Sequence, residues 1–231
     1  MKVLSNGQIE MKVYPNKDNI FSFYTNTNKI NIDWGDGIFD EFIPNAHREY
    51  IHEYSNQNIQ TISVLTESMT SFRCSQGTLH ELRFGKCTEL ERVSCSQQKL
   101  TVLDIKNAVS SLETLECSEN LLVSLDVSGA SMLRCLYSDD NQLTLLNVDG
   151  CILLKDLFCD KNQLTQLNLN SCKSIETVYC SSNKLSATTL NTIFKNLPVG
   201  DNTSKYQIFV KNNPGDSSCE KSILWEKGWY Y

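Results

Sequence analysis

Hydrophobic residues recur at a fixed spacing through the middle of the chain. Between residue 69 and about residue 197, two apolar positions three residues apart, a small residue, an asparagine and a further leucine return about every 21 residues. Around the small residue, apolar and polar positions alternate with period two, which predicts a short strand with one buried face. One copy alone cannot bury its leucines, so the pattern predicts a stack of about six rungs, one per copy. The copies begin at Met69, Leu90, Leu112, Leu133, Leu154 and Ile175.

Two columns of small residues run through these copies and hold most of the ten cysteines. The fixed step indicates core positions that take a small apolar side chain, rather than a disulfide framework. Stacked strands also give neighbouring thiols parallel directions, which oppose the torsion of a disulfide. No Cys-x-x-Cys pair occurs, so no metal site is expected. The first column is Cys74, Cys95, Cys117, Ser138, Cys159 and Cys180, and the second is Cys87, Ala108, Ala130, Cys151 and Cys172.

An asparagine stands three residues after the small residue in the last four copies, whereas Gly77 and Gln98 occupy this position in the first two. Its amide offers donors and an acceptor where the chain turns, which predicts a structural role in satisfying backbone groups of adjacent rungs. About ten residues remain in each copy for the return path. This is too short for a full helix with two turns, so extended or 3₁₀ segments are expected there.

Different patterns flank the repeats. After them, Ser186 is a good N-cap for a helix, and residues 206–210 predict a strand. Trp225 and Trp229 are expected to cover the exposed end of the leucine core. Before the repeats, strands are predicted at residues 9–14, 20–24, 30–34 and 59–65.

The turn after the third of these strands is rich in carboxylates. Asp33, Asp36, Asp40 and Glu41 could bind calcium, because hard cations take clustered carboxylates. Aspartate is also favoured in turns by local hydrogen bonds, and the spacing does not match an EF-hand loop. A hairpin turn is therefore the favoured interpretation.

Three sets of residues resemble known families. The repeat L-x-x-L-x-C-x-x-N-x-L is similar to the leucine-rich repeat family. The turn Asn213-Pro214-Gly215 and the later Lys227-Gly228-Trp229 resemble the C-terminal caps of bacterial surface leucine-rich repeat proteins. The Trp-Gly-Asp-Gly turn at 34–37, with His52-x-Tyr54, resembles a PKD-like β-sandwich. The resemblance implies a mainly β fold: an N-terminal β-sandwich cap (1–66), a leucine-rich-repeat solenoid of about six rungs (67–197) and a short C-terminal α/β cap (198–231).

Composition and charge narrow the functions. The net charge is −6 and the sequence has no Lys/Arg cluster, so we expect no basic surface that could bind nucleic acid. No apolar run approaches the ~20 residues of a membrane-spanning helix, so no membrane insertion is expected. The chain has three histidines and no G-x-S-x-G, H-E-x-x-H or P-loop motif. The cysteines fall at predicted buried positions, where thiols are inert. We therefore expect neither catalysis nor a cofactor.

The outward strand positions of the last three rungs are aromatic, and their side chains should lie side by side. Aromatic residues dominate binding hot spots and also stack on sugar rings. The alternative is that they stack on one another and only add stability. Acidic residues beside them predict a rim that favours a basic or neutral partner. The candidate binding residues on the concave face are Tyr137, Phe158, Tyr179, Asp139, Asp156, Asp160 and Glu116.

The resemblance implies a binding module that recognises a protein or a glycan through the concave face. The alternative is a passive structural spacer or interdomain scaffold with no ligand of its own, and a hydrolase is less favoured. The resemblance also implies an extracellular or cell-surface location, whereas residues 1–20 contain no signal-peptide apolar core. A cytoplasmic location is therefore the alternative. We expect a monomer with no nucleic-acid partner.

Overall fold

The computed structural model describes residues 4–43, 48–200 and 205–231, and these form three β-sheets and two short α-helices. A nine-stranded and a six-stranded sheet pack against each other at the N-terminal end, where Phe23 contacts Trp34 across the core with ring centroids 6.1 Å apart. The nine-stranded sheet then continues through the repeats. The predicted mainly β architecture, a sandwich followed by a solenoid, is confirmed.

The sandwich contains two strands that the sequence pattern did not predict. The first strand buries Ile9, Met11 and Val13 by simple alternation, and this is why its pattern is clear. The fourth strand is an edge strand that is half exposed and carries two carboxylates, so its apolar pattern is weak. The strands are β1 (Gln8–Tyr14), β2 (Ile20–Asn26), β3 (Ile30–Asp33), β4 (Phe39–Phe42), β5 (Arg48–Glu53) and β6 (Gln60–Thr66).

The first rung joins both sheets of the sandwich to the solenoid. Its strands β7 (Ser71–Gln76) and β8 (Thr78–Phe84) pair antiparallel with β2 and β1, respectively. The next strands are β9 (Arg92–Ser94), β10 (Val102–Asp104), β11 (Thr114–Glu116), β12 (Ser124–Asp126), β13 (Cys135–Tyr137), β14 (Leu145–Asn147), β15 (Asp156–Phe158), β16 (Thr177–Tyr179) and β17 (Gln207–Phe209). Both sheets therefore run across the predicted boundary at residue 66.

The rungs pair in parallel and in register. Thr114 lies opposite Cys135, Cys135 opposite Asp156 and Asp156 opposite Thr177. On the return path, β12 pairs with β14, β10 pairs with β8, and a 3₁₀ turn spans Lys106–Ala108. The expectation of extended or 3₁₀ return segments is confirmed.

A helix closes the last rung. Helix α1 (Ala187–Asn196) begins where the Ser186 Oγ accepts a hydrogen bond from the Thr189 N–H at 3.1 Å, as the N-cap prediction requires. The helix buries Leu190, Ile193 and Phe194 against the core. After it, β17 adds a further parallel strand to β16.

The two tryptophans of the C-terminal cap behave differently. Trp229 is 1% exposed, and its Nε1 donates to the Pro198 carbonyl at 2.8 Å. Trp225 is 65% exposed, so the prediction that it covers the core is wrong. It lies in the short helix α2 (Ser222–Glu226), whose buried residue is Leu224. Neighbouring residues on a helix point about 100° apart, so burial of Leu224 turns Trp225 towards solvent.

The asparagines of the repeat form a column of hydrogen bonds, the asparagine ladder. The Asn141 Oδ1 accepts from the Leu122 N–H at 3.0 Å. Its Nδ2 donates to the Cys117 carbonyl at 3.0 Å and the Ser138 carbonyl at 3.2 Å. Each amide thus satisfies backbone groups of two rungs, and the predicted structural role is confirmed. The same arrangement recurs at Asn120, Asn162 and Asn183.

The asparagine ladder extends beyond the copies in which it was predicted. Gln98 takes part through its Oε1, which accepts from the Leu79 N–H at 3.0 Å. Asn213, predicted only as part of a turn, accepts from the Leu185 N–H at 3.0 Å and donates to the Cys180 carbonyl at 2.9 Å. The side-chain amide of the C-terminal cap therefore makes the same kind of hydrogen bonds to backbone groups as the amides of the rungs, and it is the last member of the ladder.

Both columns of small residues are buried in the core. Burial raises the pKa of the Cys74 and Cys172 thiols to about 12, and that of Cys87 and Cys151 to about 11. A thiolate is the reactive form of cysteine, so these positions disfavour reaction. The prediction that the columns pack as core groups is confirmed.

We expect all ten cysteines to be thiols in the folded protein. Unfolding without reductant, followed by alkylation and mass spectrometry, should add ten alkyl groups, and reductant should leave Tm unchanged. In the native protein, the half-buried Cys135 and Cys219 should react before the eight buried cysteines. Two or more bridges within the columns, or a marked fall in Tm on reduction, would contradict this expectation.

Candidate functional site

The side of the nine-stranded sheet that faces away from the core carries a stack of aromatic rings. This is the side that the sequence analysis predicted as the concave face, and we call it the open face. Tyr137 and Phe158 have ring centroids 4.8 Å apart with planes at 14°. Phe158 and Tyr179 are also 4.8 Å apart, at 16°. The three predicted aromatic residues therefore lie side by side, in contact.

A fourth ring, Phe209 of β17, extends this aromatic stack. Its centroid lies 4.4 Å from that of Tyr179, with planes at 27°. The repeat spacing does not predict this ring, because helix α1 separates β16 from β17 and interrupts the repeat. The apolar alternation at 206–210 was the available signal, since it places Phe209 on the face opposite the buried Ile208.

The four predicted acidic residues also lie on the open face, beside the aromatic stack. Glu116 lies opposite Tyr137 in the strand pairing, and Asp156 precedes Phe158 in β15. Asp139 and Asp160 follow their strands by two residues. Burial raises the pKa of Asp160, and the charge of Asp139 adds to this, although the Ser181 N–H lowers it.

Each of these carboxylates takes its hydrogen bond from a neutral group. The donors are the Ser94 hydroxyl to Glu116, the Ser118 hydroxyl to Asp139, the Cys135 thiol to Asp156 and the Ser181 N–H to Asp160, at 2.8, 2.6, 3.7 and 2.6 Å. Within the described ranges, no lysine or arginine nitrogen lies within 4.0 Å of any of the four. Lys161 instead pairs with the neighbouring Asp140, at 2.7 Å.

The carboxylates of the turn between β3 and β4 are occupied by local hydrogen bonds. Asp33 and Asp36 each accept from the backbone N–H two residues later, at 3.0 and 3.2 Å. Asp36 also contacts the His52 Nε2 at 2.7 Å, and Asp40 accepts from the Trp34 Nε1 at 2.7 Å. These bonds agree with the hairpin-turn interpretation. In the part of the chain that the structure describes, no three His, Cys, Asp or Glu side chains are grouped to hold a metal ion.

The contact between Asp36 and His52 should make stability depend on pH in acid. Burial raises the pKa of Asp36, but hydrogen bonds from His52 and the Ile38 N–H outweigh it, so the pKa is lowered. A carboxyl group whose pKa is lower in the folded state contributes to stability. This contribution is fully present above the unfolded pKa of about 4 and is lost as the pH falls through the lower pKa of the folded state. The stability difference between wild type and Asp36→Asn should therefore narrow below about pH 4. A difference that stays constant would contradict this, and the exposed Asp18→Asn is the control.

Comparisons with known proteins are sparse. The sequence matches no protein-family model and no curated protein. Among solved structures, the functional domain of InlJ from Listeria monocytogenes, which includes a cysteine ladder, matches with a TM-score of 0.43 and 20% identity. The match covers 64% of this chain and 37% of that chain, so it spans little more than a third of the InlJ domain. None of the helices in the described ranges has the length and apolar character needed to cross a membrane.

Proposed function

We propose that the chain is a non-catalytic binding module that recognises a protein or a glycan through its open face. The observation that carries this proposal is the four-ring aromatic stack, flanked by carboxylates that no described cation pairs. The rungs are already held together by the leucine core and the asparagine ladder, so a passive spacer needs no such surface. Partly exposed aromatic residues with a polar rim are typical of binding hot spots.

We also propose that the module belongs to the bacterial surface type of leucine-rich repeat protein, with repeats of about 21 residues and an extracellular, monomeric state. The N-terminal sandwich would be its PKD-like cap. Support comes from the Trp-Gly-Asp-Gly and His-x-Tyr residues, which meet in space. His52 stacks on Trp34 with centroids 4.7 Å apart, and the Tyr54 hydroxyl donates to the Trp34 carbonyl at 3.0 Å.

A glycan and peptide array tests the open face directly. Tyr137→Ala and Phe158→Ala should each weaken binding of any ligand found by at least about tenfold, because truncating a hot-spot aromatic typically costs about 2 kcal/mol. Trp225→Ala removes a more exposed aromatic residue that is not part of the stack and should leave binding unchanged. Circular dichroism must show that every variant is folded. If both stack variants bind normally while folded, the ligand site lies elsewhere, with the sandwich as the next candidate.

A further inference from the structure

The geometry of the aromatic stack determines what part of each ring a ligand can reach. Neighbouring centroids are 4.4 to 4.8 Å apart and the planes are within 27° of parallel. Phe158 and Tyr179 therefore have both ring faces covered by neighbouring rings. Only Tyr137 and Phe209, at the ends, have one face without an aromatic neighbour. A sugar ring stacks on an aromatic face, so the interior of the stack presents edges that suit aliphatic contact instead.

Asp139 and Asp160 lie side by side next to these edges. They occupy the same position in adjacent rungs, a strand spacing of about 4.8 Å apart. Each accepts its hydrogen bond from a neutral group, and neither carboxylate has a lysine or arginine nitrogen within 4.0 Å among the described residues. Burial is the main cause of the raised pKa of Asp160, and repulsion by the nearby Asp139 charge adds to it. The Lys161 ammonium group is paired with Asp140, although its charge also lowers the pKa of Asp160 slightly against the effect of burial.

Aromatic ring edges beside two carboxylates that lack an ion-pair partner fit one kind of side chain. We propose that the open face binds a basic protein segment, one of whose arginine or lysine side chains crosses the Asp139–Asp160 pair while its methylene groups lie on the edges of Tyr137 and Phe158. Long basic side chains cover apolar surface with their stems and keep the charge at the tip. A guanidinium group can donate to two carboxylates at once. A neutral glycan would leave both charges uncompensated. This inference rests on the proposed function of the open face.

The test uses the full chain and a defined set of short peptides. Peptides with one or two arginines in a neutral background are compared with the same peptides carrying citrulline, which keeps the shape without the charge, and with a panel of neutral oligosaccharides. The double variant Asp139→Asn/Asp160→Asn removes the charges but keeps acceptors for Ser118 and Ser181. Asp140→Asn is the control, because it removes one negative charge next to the pair, at a carboxylate that is already paired with Lys161. Asp140 has a φ of 55°, a conformation that asparagine also adopts.

Arginine peptides should bind, citrulline peptides should bind at least tenfold more weakly, and the double variant should lose affinity by at least tenfold. The Asp140→Asn control should stay within twofold. Two outcomes would overturn this inference and leave the proposed function standing, provided that Tyr137→Ala loses the binding. One is equal binding of arginine and citrulline peptides, and the other is binding of oligosaccharides only. Basic peptides that bind all open-face variants equally would overturn both. No binding of any basic peptide at about 1 mM would also overturn the inference.

Discussion

Asn141→Ala should lower the free energy of unfolding by about 1–3 kcal/mol, because a buried polar group without a partner costs about that much. The substitution removes the acceptor for the Leu122 N–H and the donors to the Cys117 and Ser138 carbonyls. All of these bonds are buried, so water cannot replace them. Asn162→Ala should behave in the same way, since its bonds are equivalent one rung later. Chemical denaturation measures both.

Asn168→Ala is the matched control for this experiment. Asn168 is exposed, and its side chain accepts only from the Asn170 N–H two residues later. Its removal should change the free energy of unfolding by less than about 0.5 kcal/mol. If Asn141→Ala and Asn162→Ala leave the denaturation midpoint as unchanged as Asn168→Ala does, the asparagine ladder does not hold the rungs together.

Gly7→Ala should destabilise the protein by about 3 kcal/mol, through a clash at the junction of the sandwich and the first rung. Gly7 has a φ of 68°, and a Cβ there would lie 1.9 Å from the Thr66 carbonyl oxygen. The Gly7 N–H donates to the Lys86 carbonyl at 3.0 Å, so the chain cannot move away freely. Overpacking costs about 1–3 kcal/mol and a left-handed non-glycine residue about 1–2 kcal/mol.

Gly129→Ala separates these two contributions. Gly129 has a φ of 80°, and a Cβ there would meet nothing within 4 Å. Only the conformational cost of about 1 kcal/mol should therefore appear. Denaturation curves of the two variants at the same pH provide the comparison. Equal costs for Gly7→Ala and Gly129→Ala would show that the close approach to Thr66 does not constrain the junction.

The features that the sequence predicted are those that repeat. Leu136 and Leu157 are fully buried in successive rungs, and Tyr137 and Phe158 are in contact because equal spacing places them at the same position of paired strands. In the repeats, the local sequence pattern predicts the tertiary packing directly, because each rung contacts chiefly its neighbours.

The features that the sequence pattern does not predict lie where the repeat stops. Asn213 and Phe209 continue two columns of the solenoid, but the chain reaches them only after helix α1. Gln98 joins the asparagine ladder because its longer side chain still brings an amide to the Leu79 N–H. The orientation of Trp225 depends on which face of a five-residue helix is buried, and so short a helix has no periodicity to indicate it.

The sequence pattern also does not predict the backbone conformation beside the asparagine ladder. The residue before each ladder amide has a positive φ, from 50° to 63°, although none of these residues is glycine. Lysine and glutamate rarely take this conformation, so neither Lys161 nor Glu119 signals it. The ladder amide fixes the neighbouring backbone and thereby holds the turn. These residues are Gln97, Glu119, Asp140, Lys161, Ser182 and Asn212.

The parallel pairing from β7 to β17 also determines how the protein responds to mechanical force. Strand hydrogen bonds run from one rung to the next, so tension along the solenoid loads the rung interfaces in series. Each pairing between solenoid strands spans three residues, as between β13 and β15. Under such tension, the solenoid should therefore open one interface between rungs at a time and lengthen in small steps. Tension across the rungs would instead have to shear many interfaces at once, so the molecule should be mechanically anisotropic.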